Sequence, residues 1–101
     1  MTTDSYQTTF AVPTGHPCLP GHFPGRPLVP GVLLLEQVAS ALRQWRGERL
    51  ARVREAKFIA PLGPAQLAEL NLTQSDTQIR FEIRHDGALL ARGLVEGATL
   101  A

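Results

Sequence analysis

The sequence predicts an α+β fold, with one long helix held against an antiparallel β-sheet that curls around it. Three observations predict it. Apolar residues fill nearly every position from Val32 to Leu42, and polar ones become frequent only after Ser40. From Arg52 onward the pattern changes to a period of two. Asp86-Gly87 then marks a tight hairpin between two such stretches.

The elements follow in order. Tyr6 to Val12 reads as a first strand. Pro13 to Pro30 is a loop with six of the eight prolines, plus Gly15, Gly21 and Gly25. Each proline fixes its own φ and pushes the residue before it out of the α region, so such a loop favours one shape. Gly31 to Trp45 is the helix, opened by Pro30-Gly31 and stopped by Gly47. Val32, Leu33, Leu34, Leu35, Val38, Ala39, Ala41, Leu42 and Trp45 leave little polar face, so its first two thirds are expected to be buried almost all round. Arg52 to Ala60, Gln66 to Thr73, Gln78 to His85 and Ala88 to Leu94 (or on to Ala98) read as strands. The third is the clearest, with Ile79, Phe81 and Ile83 on one face and Arg80, Glu82 and Arg84 on the other. The second alternates with one slip, at Ala68-Glu69. A strand, a helix and then a meander is the expected plan.

At 101 residues the chain is one domain, 1–101, with residues 1–5 expected to be flexible. A domain this short buries a modest core, and dimerisation would help it. The formal charge of +1 gives no global case for nucleic acid. A single cysteine excludes an intrachain disulfide framework and fits a reducing compartment, so the expected location is cytoplasmic. MTTDSYQTTF does not read as a signal peptide, and no apolar run is long enough to span a membrane. Six basic residues (Arg43, Arg46, Arg49, Arg52, Arg54, Lys57) face two acids between positions 43 and 57. This stretch is either a solvated helix end with a half-exposed strand, or a patch for an acidic partner or a phosphate-bearing substrate.

Three groups could do chemistry together. His22 sits in Gly21-His22-Phe23-Pro24-Gly25, on rigid backbone with small neighbours, and histidine exchanges protons near neutral pH. Glu36 interrupts VLLLEQVA. Burial there would raise its pKa and suit it to act as an acid, whereas a thin polar stripe with Ser40 and Arg43 would leave it solvated. Gly31 at the helix start offers an N–H to a developing oxyanion, or is a plain helix end. His16 could line the same cavity. His85, beside the hairpin turn, is expected to be exposed and inert. Cys18 lacks an activating partner, and His16, Cys18 and His22 have no standard metal-ligand spacing, so neither a thiol nucleophile nor a metal is expected.

The run GHFPGRPLVPGVLLLEQVA resembles the (3R)-hydroxyacyl-acyl carrier protein dehydratases, which have the hotdog fold. The match takes in Gly21, His22, Phe23, Pro24, Gly25, Pro27, Pro30, Gly31, Val32, Leu33, Glu36 and Ala39. Ala56-Lys57-Phe58 with Pro61, and Asp86-Gly87 with Leu90-Ala91, resemble later family segments. The resemblance implies a hotdog domain that dehydrates a 3-hydroxyacyl thioester to the trans-2-enoyl product. It implies His22 as the base at C2 and Glu36 of the opposite subunit as the group that protonates the departing hydroxyl. The Gly31 N–H would polarise the carbonyl, and Phe23, Pro30, Leu33 and Leu34 would line the acyl site. It implies no cofactor beyond the substrate's own phosphopantetheine on acyl carrier protein, with the basic stretch as the carrier's dock. Glutamate in place of the aspartate of the dehydratase/isomerase branch favours dehydration without isomerisation. A homodimer is the simplest assembly, with a heterodimer or a hexamer of three dimers as alternatives. Departures after the acid, where Gln37-Val38-Ala39-Ser40 stands, and at Ile59 to Ala65 suggest a specialised pathway such as an aryl polyene pigment, a polyketide or another secondary lipid. The competing readings are a thioesterase or enoyl hydratase of the same fold, and a non-catalytic scaffold subunit.

Overall fold

A computed structural model of the chain describes residues 4–13 and 29–99. Helix α1 runs Gly31–Arg46. At its start Pro30 is extended (φ −62°, ψ 148°) and supplies no side-chain cap, and its carbonyl accepts from the Leu33 N–H at 3.0 Å. At its end Gly47 takes the left-handed conformation (φ 65°, ψ 28°), which glycine adopts without a Cβ penalty. The Gly47 N–H reaches the Arg43 carbonyl at 2.8 Å.

Five strands form one sheet: β1 (Ser5–Phe10), β2 (Glu48–Phe58), β3 (Ala68–Ser75), β4 (Gln78–His85) and β5 (Ala88–Thr99). Their spatial order is β1-β3-β4-β5-β2, and every neighbouring pair is antiparallel. The expected meander holds for β3 to β5 and fails for β2, which lies beyond β5 at an edge. The single residue Gly47 links α1 to β2, so β2 starts at Glu48 rather than Arg52 and stays beside the helix. β1 stops at Phe10, short of Val12. The Val12 carbonyl accepts from the Ala65 N–H at 2.7 Å instead of from a strand. At the other end Ser5 belongs to β1, and the Asp4 carbonyl accepts from the Gln74 N–H at 2.9 Å. Asp4 and Ser5 thus join the sheet edge, and residues 1–3 lie outside the described residues.

The core lies between α1 and the inner face of the sheet. Leu33, Leu34, Val38, Ala41 and Leu42 of α1 meet Leu70 and Leu72 of β3, Ile79, Phe81 and Ile83 of β4, and Leu90, Ala91 and Val95 of β5. Each large apolar side chain so buried contributes roughly 1.5–3 kcal/mol. The apparent slip at Ala68-Glu69 disappears because β3 begins at Ala68 and exposed Leu67 precedes it. Asp86 and Gly87 both have positive φ (49° and 80°), as a two-residue hairpin turn requires.

The helix is not buried all round. Val32, Glu36, Ser40 and Arg43 are exposed and follow one another at helical spacing, so they form one open stripe. Leucines at 33 and 34 satisfy the core with about a third of the helix circumference.

β2 departs from strict alternation because it is bulged twice, between Leu50 and Arg52 and between Val53 and Glu55. Ala51 and Arg54 are the extra residues, so the inward positions fall at Leu50, Val53, Ala56 and Phe58, opposite Gly97, Val95, Gly93 and Ala91. The second bulge presses the Glu55 carbonyl onto β5. A Cβ at Gly93 would lie 2.1 Å from that oxygen and 2.6 Å from the Phe81 ring. Gly93→Ala is therefore expected to destabilise the protein by about 1–3 kcal/mol, read as a lower urea midpoint. An unchanged midpoint would mean that the bulge relaxes freely.

Candidate active site

A cavity of about 430 Å³ opens at the N-terminus of α1, lined by Val29, Gly31, Leu34, Phe58, Ile59, Ala60, Pro61 and Leu62. Backbone hydrogen bonds hold its walls. The Val29 N–H donates to the Leu62 carbonyl at 2.9 Å. The Ile59 and Ala60 N–H groups both donate to the Leu90 carbonyl, at 2.7 and 3.1 Å, which fixes the end of β2 against β5. All of these lining side chains are apolar. The helix start adds polar backbone, since the Gly31 and Val32 N–H groups have no acceptor within the helix and carry partial positive charge. The first turn holds no acidic side chain to neutralise it. Such an end suits an oxygen that gains negative charge during a reaction.

A side chain at Gly31 would meet the Phe58 ring. A Cβ there would lie 2.9 Å from Cζ of Phe58 and 3.1–3.2 Å from the neighbouring ring carbons. The Phe58 ring thus rests on the Gly31 backbone, and half of its surface remains open.

The other expected site residues divide clearly. Pro30 caps the helix beside the cavity and Leu34 lines it. Leu33 is 4% exposed and belongs to the core, not to the cavity wall. His22 and Phe23 lie outside the described residues, as do His16 and Cys18. Glu36 is exposed, so the burial expected from its apolar neighbours is absent in the single chain. It stands two positions after Leu34, about 200° around the helix, and so points away from its own chain's cavity.

The basic stretch does not form one surface. Arg46 stacks over the Trp45 ring at 3.9 Å, lies 3.5 Å from Asp4 and donates to Oε1 of Gln74. Trp45 stacks on Tyr6 with centroids 6.2 Å apart, and the Tyr6 hydroxyl bonds Gln44 at 3.1 Å. Arg46 therefore ties the helix end to β1 and β3. Arg46→Ala is expected to cost about 1 kcal/mol of stability, measured by denaturation. Arg54 lies 3.5 Å from Glu96. Arg43 stands on the open helix stripe, while Arg49, Arg52 and Lys57 are exposed along β2. His85 is half-buried rather than exposed. Its Nδ1 is 2.7 Å from the Leu67 carbonyl, which ties the β4–β5 hairpin to the segment before β3. Among the described residues no cluster of three or more His, Cys, Asp or Glu could hold a metal ion, and no helix is long and apolar enough to cross a membrane.

Phe58, Ile59 and the turn to Leu62 are the wall that sequence reasoning missed. Their signals were the family-like Ala56-Lys57-Phe58 with Pro61 and an apolar run from Phe58 to Leu62 where strict alternation would have placed polar residues.

A five-stranded antiparallel sheet around one central helix is the hotdog fold. The chain belongs to the ApeI-like family, whose model, described as ApeI dehydratase, matches residues 1–94. A 3-hydroxyacyl-acyl-carrier-protein dehydratase named FabZ from Myxococcus xanthus is 33% identical over 96 residues, covering 89% of this chain and 63% of the relative. A FabZ from Haemophilus influenzae is 38% identical over 71 residues, covering 60% of this chain and 48% of the relative. The chain thus spans about half to two thirds of the length of these curated relatives. The structure described as the dehydratase heterocomplex ApeI:P from Xenorhabdus doucetiae has the same fold, with a TM-score of 0.81 at 20% identity over 96% of this chain and 89% of that one.

Proposed function

We propose that this chain dehydrates a (3R)-3-hydroxyacyl thioester borne on acyl carrier protein, giving the trans-2-enoyl thioester and water, in the cytoplasm. The observation that carries the reading is the apolar cavity that ends on the N–H groups of a helix start at Gly31. A thioester carbonyl placed there has the charge of its enolate-like transition state stabilised. His22 removes the proton at C2. Glu36 of a second subunit protonates the 3-hydroxyl as the C3–O bond breaks. The C2–H pair becomes the C2=C3 bond, so no co-reactant is needed. Family membership and the FabZ relatives support this chemistry.

Two features support a second subunit. Glu36 points away from its own cavity, as an acid that serves another chain's site would. β2 is an 11-residue edge strand exposed along most of its length, with Val53 and Phe58 exposed on it, Ile59 exposed just after it and Val32 exposed on α1. An edge of that length with apolar side chains beside it calls for a partner. A second copy is the simplest. The similar structure is described as a heterocomplex, so a non-identical partner chain is the other arrangement to test, and the exposed Arg49, Arg52 and Lys57 of β2 suit an acidic carrier.

Mass spectrometry of a panel of carrier-bound 3-hydroxyacyl groups tests the chemistry. Loss of water with wild-type protein, and not with His22→Ala or Glu36→Ala, is the expected result. Release of free acid would make the protein a thioesterase, and intact substrates throughout would favour a scaffold subunit. For the assembly, Val32→Asp should leave circular dichroism unchanged, because Val32 is exposed in the single chain. It should raise the dimer dissociation constant at least about tenfold by burying a charge in sedimentation experiments. A wild-type protein that turns over as a monomer would overturn the two-subunit site.

A further inference from the structure

We propose that Gln66 is a positioning residue: it locks a turn that holds together one wall of the cavity and both ends of the segment carrying His22. The part played by His22 rests on the dehydratase reading above. The turn is Gly63-Pro64-Ala65-Gln66, directly after the wall residue Leu62. Two backbone hydrogen bonds join this short stretch to distant parts of the chain. The Leu62 carbonyl accepts from the Val29 N–H at 2.9 Å, and the Ala65 N–H donates to the Val12 carbonyl at 2.7 Å. Val12 and Val29 are both buried, so the two bonds end on core positions. These valines stand on either side of residues 14–28, which lie outside the described residues and include His22. The chain therefore leaves β1 and returns to α1 through one clasp, with both attachment points on the stretch from Leu62 to Ala65.

The clasp depends on the shape of its turn. Pro64 fixes φ at the second position, and Ala65 at the third has a positive φ of 65°, the pattern of a type II turn. Alanine is disfavoured there, because its Cβ crowds backbone that glycine leaves open. The turn's own backbone bond, from the Gln66 N–H to the Gly63 carbonyl, is long at 3.4 Å. The Gln66 side chain supplies the shorter one. Its Oε1 accepts from the Gly63 N–H at 2.7 Å. The amide lies close over Gly63, where a Cβ would come within 3.1 Å of Oε1. Beyond the turn the Leu67 carbonyl lies 2.7 Å from Nδ1 of His85, which holds the exit. Without the Gln66 acceptor a strained turn keeps only its long bond, and the two attachment points gain freedom relative to each other. Four prolines among residues 14–28 restrict how far that chain can absorb a displaced end. A proton-transfer group carried there is misaligned when the ends shift, which lowers turnover more than binding.

Gln66→Met keeps the length of the side chain and removes the acceptor, whereas Gln66→Glu keeps an accepting oxygen. Both should be compared with wild type, as the assembled protein, on the carrier-bound 3-hydroxyacyl panel. Histidine ring signals should be followed by NMR without substrate, with His22 assigned through His22→Ala. Gln66 is exposed, so Gln66→Met is expected to keep the wild-type circular dichroism. It should lower kcat about fivefold with KM changed less than about twofold, and should move the His22 signals. Gln66→Glu should return both readouts to near the wild-type values. Unmoved His22 signals or an unchanged kcat in Gln66→Met would overturn the clasp and leave the dehydratase reading standing. Equal losses in Gln66→Met and Gln66→Glu would also overturn it, because the accepting oxygen would then not be what matters. His22 signals that move in Gln66→Met and return in Gln66→Glu, beside wild-type protein that dehydrates none of the panel, would retain the clasp and remove the reaction.

Discussion

Mixing His22→Ala and Glu36→Ala proteins, each inactive alone, is expected to restore dehydration to about a quarter of the wild-type level. Random pairing makes half of the dimers mixed, and each mixed dimer holds one site with both its histidine and its acid intact. The expectation follows from the helix. Leu34 and Gly31 line the cavity, and Glu36 stands on the opposite side of α1 beside exposed Val32. A carboxylate there serves another chain's cavity or none. Turnover should rise as the mixed subunits exchange and should plateau. No recovery after demonstrated exchange would place both groups in one chain's site, or remove Glu36 from the chemistry.

Gly31→Ala is expected to lower kcat about a hundredfold while the protein stays folded, because the new Cβ meets the tip of the half-exposed Phe58 ring and turns it into the cavity where the substrate would lie. The substitution keeps the N–H, and Gly31 is not among the glycines with positive φ, so backbone strain is not the cause. The ring atoms in the way are Cζ and the two Cε atoms, which leucine lacks. Adding Phe58→Leu to Gly31→Ala should therefore recover about tenfold of the loss, a coupling that a double-mutant cycle reads directly. Equal activity in the single and double variants would show that the helix start tolerates the methyl group and that the loss arises elsewhere. Melting curves separate either result from unfolding.

Much of the fold was legible because it depends on neighbouring residues. Pro30-Gly31 and Gly47 bracket the helix, since an orphan N–H and a left-handed stop are local requirements. Ile79, Phe81 and Ile83 alternate inward on β4 as their period demands. Asp86-Gly87 turns as its chemistry allows. β2 was less legible. Bulges at Ala51 and Arg54 move its inward residues to a spacing of three, and a reader counting in twos finds no clean face. A bulge is stabilised by the partner strand, here by Gly93 making room for the Glu55 carbonyl, so it leaves no complete signal in β2 itself.

The candidate site divides in the same way. By itself the sequence determined the helix, its terminal glycine and the Asp86-Gly87 hairpin, because spacing and turn chemistry act over a few residues. Only the tertiary structure decided that β2 takes the outer edge next to β5 and that Leu33 enters the core while Leu34 reaches the cavity. It also decided that Arg46 is spent on Trp45, Asp4 and Gln74, and that the Phe58 ring rests on Gly31. Apart from the stacking of Arg46 on its neighbour Trp45, these are contacts between residues far apart in the chain, and which of several apolar or charged candidates makes each one depends on packing that no local pattern encodes.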